Sequence, residues 1–264
     1  MLRLTKGSWE AKVCVEWGAN LCALSENGRP ILREPKDLQT LKDDKYLYGV
    51  PLLFPGNRTQ GGRFSFRGRE YQLPVNEPLH NNNLHGSMIE APFEVLEQTE
   101  SRLRVICRNR GEYYPFAFDM TVTDEIEDGW TRTIALTALE DMPYTMSFHT
   151  TFVEPHTFSV PLGQRFVWDE HYIPTGEMVD AQPFGKAISG YHRSLGHTAL
   201  VGDYAYTVSD QFDLWVLYNG GGDKDFLCIE PQCGEVNGLN SDAHRELAAG
   251  ETETFVMTIK RKCK

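Results

Sequence analysis

The chain has 264 residues, of which 41% are hydrophobic and 24% charged. This composition is ordinary for a folded globular protein and argues against long disordered segments. The formal net charge of -11 argues against nucleic acid and anionic membrane surfaces as partners, because both would repel the protein at long range. An uncharged small molecule is the ligand class that this charge favours.

Cysteine usage and the distribution of apolar runs bear on the compartment. The six cysteines include no Cys-x-x-Cys pair, and a chain of this size folds without disulfides, so we expect reduced thiols. Residues 1–12 turn polar at once, without the apolar core of a signal peptide, and no run elsewhere approaches the roughly 20 apolar residues of a membrane span. These features predict a cytoplasmic protein with no membrane association.

Alternation of polar and apolar residues dominates the chain. In residues 10–17, it places Ala11, Val13, Val15 and Trp17 on one face of an extended segment. The same period of two recurs in four later segments, at residues 102–108, 118–122, 131–138 and 254–262. Such alternation predicts antiparallel strands with one face in a core and the other in water.

Turn residues separate the predicted strands. Asn27-Gly28, Gly68 and Asp128-Gly129 each lie between two strand-like segments, as the loops of β-hairpins do. A series of hairpins is therefore the simplest arrangement of the chain.

Helical patterns are short by comparison. Residues 35–49 can hold one or two turns and residues 241–250 another, but neither shows three turns of an apolar stripe. The chain also has no linker, repeat or break in composition. We therefore expect an all-β fold, in which residues 1–264 form a single domain built as a large antiparallel β-sandwich.

Polar residues interrupt the strand pattern at four places. At the first, Asn57 and Arg58 follow a proline-bounded apolar run, and the arginine suits either a surface ion pair or a fork of donors for sugar hydroxyls. At the second, His85 follows three asparagines and a leucine, either in a solvated turn or in a binding loop. At the third, His149 lies in an aromatic strand-like segment, where a core histidine and a functional one are both compatible with the pattern.

The fourth place carries a carboxylate at a predicted strand end. Glu230 follows the apolar residues 226–229 and directly precedes Pro231, where the backbone is expected to leave the sheet. This position suits a general base, and a carboxylate with histidines can form a metal site or a metal-free acid–base pair. The sequence has no His-x-His, His-x3-His or His-Glu-x-x-His spacing. We therefore expect neither a metal nor another cofactor.

Together these segments resemble the aldose 1-epimerase (galactose mutarotase) family. The resemblance rests on five segments. They are a pattern that runs from Asn-Arg to Leu-His-Gly (residues 57–86), a second histidine motif (147–152), a Pro-Thr-Gly-Glu segment (173–177), a glutamate segment (227–232) and a carboxy-terminal segment (247–255). It implies a large antiparallel β-sandwich that binds a monosaccharide on its concave sheet. The implied activity is that of an isomerase that interconverts the α and β anomers of a free aldose such as galactose or glucose.

The resemblance also implies roles for six residues. Carried over by position, these are Glu230 as general base, His149 as general acid, and Asn57, Arg58, His85 and Asp203 as sugar-binding groups. The loop before His85 would present its imidazole to the sugar, with Gly86 leaving room. Around His149 the family usually has Gly-His-Pro-Tyr-Phe where this chain has Ser-Phe-His-Thr-Thr-Phe, so the sequence does not specify which sugar is bound.

The chemistry explains why both kinds of group are needed. Ring opening removes a proton from the C1 hydroxyl while a proton reaches the ring oxygen. With Glu230 as base and His149 as acid, kcat should follow a bell with the carboxylate on the acid limb and the imidazole on the alkaline limb. One alternative is a hexose-6-phosphate mutarotase, for which only Arg58 and Arg63 stand near the loop to bind a phosphate. The other is a non-catalytic sugar-binding domain, which would not need Glu230 and His149 together.

Overall fold

The computed structural model describes residues 1–182, 184–222, 225–241 and 244–262. Within these residues the chain is built from β-strands joined by short turns. The strands of the first half are β1 (Leu2–Lys6), β2 (Trp9–Cys14), β3 (Asn20–Glu26), β4 (Arg29–Pro30), β5 (Leu52–Leu53), β6 (Arg58–Gln60), β7 (Arg63–Phe66), β8 (Arg69–Gln72), β9 (Asn82–Leu84), β10 (Glu94–Gln98), β11 (Arg102–Arg110), β12 (Ala117–Ile126) and β13 (Gly129–Ala138). Those of the second half are β14 (Met142–Tyr144), β15 (Met146–Phe148), β16 (Thr151–Val153), β17 (Phe158–Ser159), β18 (Leu162–Trp168), β19 (Pro174–Val179), β20 (Ser189–Ser194), β21 (Thr198–Val201), β22 (Tyr204–Val208), β23 (Leu214–Tyr218), β24 (Phe226–Cys233), β25 (Arg245–Leu247) and β26 (Thr252–Arg261).

Two eight-stranded sheets form the body of the protein. Sheet I has the order β10-β11-β12-β13-β26-β22-β21-β17, and sheet II has the order β19-β18-β20-β23-β24-β15-β5, with β16 also paired to β24. A four-stranded sheet, β1-β2-β3-β4, and the pairs β6-β9, β7-β8 and β14-β25 complete the fold. The pairings between these strands are antiparallel. The predicted all-β antiparallel sandwich is confirmed.

The alternating segments of the sequence are strands with one buried face. In β26, Phe255, Met257 and Ile259 are fully buried while the residues between them are half-buried. The first segment is shorter than predicted, because β2 ends at Cys14 and Val15 and Trp17 lie beyond it. Period-two alternation therefore located the buried Ala11 and Val13 correctly, but it overestimated the length of this strand, since Val15 and Trp17 are only half-buried.

The predicted hairpins and the first helix are also present. The three turns join β3 to β4, β7 to β8 and β12 to β13. Helix α1 (Leu38–Asp43) lies in the first helical segment, and the Asp37 carboxylate caps it by accepting a hydrogen bond from the Thr40 N–H at 2.8 Å. Two single 3₁₀ turns are the remaining helical structure in the described residues, at Met88–Glu90 and Gly238–Asn240.

The second predicted helical segment, residues 241–250, is wrong over its described part. Arg245–Leu247 form β25, which pairs with β14 so that Leu247 lies opposite Met142. Both of these side chains are buried, and cross-strand packing therefore outweighs the local helical preference. Asp242 and Ala243 lie outside the described residues.

The hydrophobic core lies between the two large sheets. Tyr206 of sheet I contacts Phe152 and Trp215 of sheet II, with ring centroids 5.6 and 6.1 Å apart. One connected cluster of buried side chains joins residues from Leu4 to Ile259. A single domain requires such a common core, and the one-domain organisation stays a prediction.

Two further sequence expectations concern membranes and thiols. In the part of the chain that the structure describes, no helix is both long and apolar enough to cross a membrane. The five cysteines in that part are free and buried, and Cys263 lies outside it.

Candidate active site

A cavity of about 400 Å³ opens on sheet II, on the side facing away from sheet I. Strand β24 is buried along its whole length. Its residues Leu227 and Ile229 belong to the core between the sheets, whereas Glu230 lines the cavity. Because successive side chains of a strand point to opposite faces, one strand supplies both the core and a carboxyl in the cavity floor.

Glu230 lies in the middle of β24, and the predicted end of the strand at this residue is wrong. The Ile229 N–H donates to the Thr150 carbonyl at 3.0 Å. Backbone nitrogens two residues apart face the same neighbour, so the Pro231 nitrogen faces Phe148, the last residue of β15 before the interruption that separates it from β16. The Phe148 carbonyl accepts a hydrogen bond from the Thr150 N–H at 2.9 Å instead, so the ladder does not require the missing N–H of the proline.

His149 enters the cavity from this interruption between β15 and β16. Its backbone N–H donates to the Pro51 carbonyl at 3.0 Å, and its Nε2 lies 3.3 Å from Oε1 of Glu230. Burial raises the pKa of Glu230 well above its ordinary value and lowers the pKa of His149 to about 4. A carboxyl with a raised pKa thus faces an imidazole with a lowered one, and both shifts favour the neutral form of the pair, which carries a single proton.

His85 lies beside this pair. Its backbone N–H donates to the Asn57 carbonyl at 2.7 Å, and its ring centroid is 5.6 Å from that of His149 and 4.7 Å from that of Tyr46. Burial, reinforced by the nearby positive charges, lowers the pKa of His85 well below its ordinary value. The Nδ1 atoms of His85 and His149 are buried without a hydrogen-bond partner among the described residues.

Gly86 serves the backbone and not the ligand, which corrects the role expected from the sequence. Its φ is +62°, and a Cβ at this position would lie 1.9 Å from the carbonyl oxygen of Phe54. The glycine is therefore required because the chain approaches the neighbouring backbone closely in a left-handed conformation.

We expect Gly86→Ala to destabilise the protein by about 3 kcal/mol, because the clash with a backbone atom adds to the roughly 1–2 kcal/mol cost of the left-handed conformation. Urea unfolding measures the change. The matched control is Gly68→Ala, because Gly68 has a φ of +75° with nothing within 4 Å of the added Cβ. Equal losses in the two variants would show that conformation alone, and not the approach to Phe54, makes this glycine necessary.

Asn57 and Arg58 form a second wall of the cavity. Arg58 donates to both carboxylate oxygens of Glu77, from Nε at 2.8 Å and from Nη2 at 2.7 Å, and to the Tyr191 hydroxyl at 2.6 Å. Asn57 donates to Oε1 of Gln232 at 3.1 Å. The arginine is thus in an ion pair, but the pair lies in the cavity wall with each side chain only 15% exposed, not on the open surface.

The structure places Asp203, a predicted sugar-binding residue, outside the cavity. It is exposed in the turn between β21 and β22 of sheet I, where its carbonyl accepts a hydrogen bond from the Lys262 N–H at 3.0 Å. The hairpin register pairs Val201 with Tyr204 and leaves Asp203 at the tip. The cavity-lining residues come from sheet II, from the pair β6-β9 and from loops, and do not include it.

Several cavity residues were missed by the sequence analysis. They come from the segment after α1, the loop before β9, the turn before β19 and strand β20, and include Asp44, Tyr46, Glu77, Tyr172 and Tyr191. Acids and tyrosines in loops or alternating strands are common, so none of them stands out locally. The one available signal was Arg58, because a buried guanidinium needs a carboxylate partner and therefore predicts an acidic residue such as Glu77 beside it.

Three buried side chains are the closest approach to a metal site in the described residues. His149, Cys228 and Glu230 offer ligand atoms within 4.8 Å of one another. Burial raises the pKa of the Cys228 thiol well above its ordinary value, and its Sγ lies 3.5 Å from Oγ1 of Thr151. Because a thiol binds a metal as its thiolate, this set fits a resident ion poorly.

Comparison with known proteins identifies the family of the chain. The sequence model of the aldose 1-epimerase family matches residues 1–188. Two uncharacterized proteins of Escherichia coli K12 are similar to the chain. YphB is 28% identical over 273 residues, which cover 88% of each protein, and YihR is 26% identical over 185 residues, which cover 65% of this chain and 58% of YihR. The match thus spans less than two thirds of the length of YihR.

A similar solved structure comes from Clostridium acetobutylicum. It is a galactose mutarotase-like protein that superposes with a TM-score of 0.89 over 99% of this chain and 95% of its own, at 22% identity. At this identity the likeness shows the fold alone.

Proposed function

The chain belongs to the aldose 1-epimerase family, and from this premise we propose that it is an isomerase that interconverts the α and β anomers of a free aldose. The observation that carries the proposal is the 3.3 Å contact between Nε2 of His149 and Oε1 of Glu230 in the wall of the cavity. A base and an acid in one site are what opening a hemiacetal requires.

The proposed reaction moves one proton at each end of the C1–O5 bond. Glu230 takes the proton of the C1 hydroxyl while His149 delivers one to the ring oxygen, each contributing roughly 10²–10⁴-fold. The ionised form of the pair arises from the neutral form by moving its single proton across the 3.3 Å contact. After rotation about C1–C2, the two groups exchange roles and the ring closes as the other anomer.

Asn57, Arg58 and His85 are proposed to hold the sugar during this step. A neutral imidazole has one donor and one acceptor nitrogen, and the lowered pKa of His85 keeps it in this form, which suits a hydroxyl. The asparagine is oriented by its hydrogen bond to Gln232. Fixed donors of this kind keep the open-chain aldehyde in place until it closes.

The two alternative functions have less support. A hexose-6-phosphate mutarotase needs free cations, but Arg58 is paired with Glu77, and Arg63 is exposed on β7, where it donates to Gln72 at 2.9 Å. A non-catalytic sugar-binding domain would not need a buried imidazole beside a buried carboxyl, because burying both is costly.

Anomer exchange is tested by NMR exchange spectroscopy or polarimetry on a panel of galactose, glucose, other free aldoses and glucose 6-phosphate. We expect exchange of at least one free aldose to be accelerated and glucose 6-phosphate to be a poorer substrate. A folded protein that accelerates no aldose would overturn the proposal, and one that prefers the phosphate would establish the first alternative.

The pH profile of kcat is expected to follow the proton count of the Glu230–His149 pair. Because the His149 pKa is about 4, a second proton binds and removes the base only near pH 4, which sets the acid limb. Loss of the single proton, governed by the raised pKa of Glu230, sets the alkaline limb. This order reverses the one expected from the sequence. If the alkaline limb instead lies near the ordinary histidine pKa and disappears in His149→Asn, the imidazole sets the alkaline limb, as the sequence analysis expected.

Metal removal is expected to leave the reaction unchanged. Dialysis against EDTA should not alter kcat, because the proposed proton transfers use only Glu230 and His149, and elemental analysis should find no stoichiometric ion. Loss of activity that returns on adding a divalent cation would overturn the acid–base proposal.

A further inference from the structure

The charge of Arg58 is fully compensated inside the cavity wall. Its Nε and Nη2 atoms form a bidentate pair with the Glu77 carboxylate, and Nη1 donates to Tyr191. Its guanidinium carbon also lies 4.7 Å from the ring centroid of Tyr172. Glu77 is held in turn by the Asn82 side chain, which donates to the same carboxylate at 2.9 Å. Both members of the Arg58–Glu77 pair are therefore held in a fixed geometry by further hydrogen bonds.

The cavity lining offers no second cation to a ligand. Besides the paired Arg58 and Glu77, its acidic side chains are Asp44 and Glu230, and the raised pKa of Glu230 favours its neutral form. Arg58 is the one lysine or arginine among the described lining residues. The neighbouring Lys45 is tied to Glu90, with Nζ 2.5 Å from Oε1. Because Glu77 compensates the charge of Arg58, the cavity presents no free positive charge to a ligand, and Asp44 repels a negative one.

We propose that Glu77 is a specificity-determining residue that restricts this site to uncharged sugars by neutralising Arg58. The inference rests on the proposed function, since it names the substrate class of the same site. Specificity for a neutral ligand follows because an anionic sugar gains no free cationic partner in the cavity and meets the acidic Asp44 in its lining.

Removing the charge of Glu77 should convert Arg58 from a neutralised group into an anion-binding one. Glu77→Gln keeps the size and one acceptor oxygen of the side chain, so the guanidinium stays near its position while its charge becomes uncompensated. An arginine released in this way recognises a carboxylate through two parallel hydrogen bonds. The variant should therefore gain activity toward anionic sugars relative to neutral ones.

Glucose and glucuronate provide the test, because they share the ring and the reacting C1 and differ in a carboxylate at C6. We expect wild-type kcat/KM for anomer exchange to be at least about tenfold lower for glucuronate than for glucose. In Glu77→Gln the ratio should shift toward glucuronate by about tenfold or more, a change of roughly 1.4 kcal/mol. The shift should shrink in about 1 M salt, where the screening length is ~3 Å.

The matched control is Glu94→Gln, which removes a carboxylate paired with Arg108 on the exposed edge strand β10 of sheet I. It changes the net charge equally and should keep the wild-type ratio. Equal wild-type turnover of both sugars, or a proportional loss for both in Glu77→Gln, would overturn the inference. If the variant does not fold, the wild-type ratio decides. If the wild type exchanges no sugar, the proposed function fails, while saturation-transfer NMR of glucose and glucuronate binding still decides the charge preference.

Discussion

Glu230→Gln is expected to lower kcat for anomer exchange by roughly 10²–10⁴-fold while the protein stays folded. The amide keeps the shape of the carboxyl but neither takes nor delivers the proton at this step. The variant should also unfold at the same temperature or higher at pH 7. The pKa of Glu230 is raised above its unfolded value of 4.5, so the stability contributed by the carboxyl is lost as pH rises beyond that value.

Anomer exchange by NMR and thermal unfolding measure these two effects. The matched control is Glu253→Gln, because burial also raises the pKa of Glu253, which accepts a hydrogen bond from Tyr144 and does not line the cavity. Its kcat should remain at the wild-type value. Near-normal turnover in Glu230→Gln would remove this carboxyl from the mechanism, and a loss shared by both variants would point to a general effect of removing a carboxyl with a raised pKa.

His149→Asn is expected to give the second largest effect, a fall in kcat of about 10²-fold or more with a smaller change in KM. Asparagine keeps a polar group near the ring position but cannot titrate, so the proton that His149 exchanges with Glu230 has no acceptor. Steady-state kinetics on the best aldose of the panel separate the two parameters. A change confined to KM would make His149 a binding residue.

His85→Asn is the matched comparison, because the two imidazoles lie 5.6 Å apart in the same cavity and both have lowered pKa values. His85 does not contact Glu230 in an ion pair, so its replacement should mainly raise KM and leave the shape of the pH profile in place. If His85→Asn instead removes a limb of that profile and His149→Asn keeps it, the two roles are assigned the wrong way round.

Local sequence patterns predicted much of the fold. Alternation located strands such as β11, β12, β13 and β26, and glycine-containing turns located the hairpins between them. The pattern was least informative where a strand is buried on both faces. In β24 every position is buried, so periodicity did not show that the strand continues through Pro231.

The candidate site was predicted unevenly. Five of the six predicted residues line the cavity, namely Glu230, His149, His85, Asn57 and Arg58. Asp203 was misplaced because its segment folds as a hairpin of sheet I, and no local feature tells which sheet a hairpin joins. Glu77 was missed because its importance lies in a contact with a residue 19 positions away.

The sequence by itself determined the strand content, the positions of the turns and the kinds of side chain available for chemistry, because each of these depends on neighbours within a few residues. Only the tertiary structure decided which of these side chains meet and in what state of ionisation. The contact of His149 with Glu230 joins residues from two parts of the chain across the pairing of β15 and β16 with β24. Their shifted pKa values arise from burial, which exists only once sheet II and the loops around the cavity are assembled.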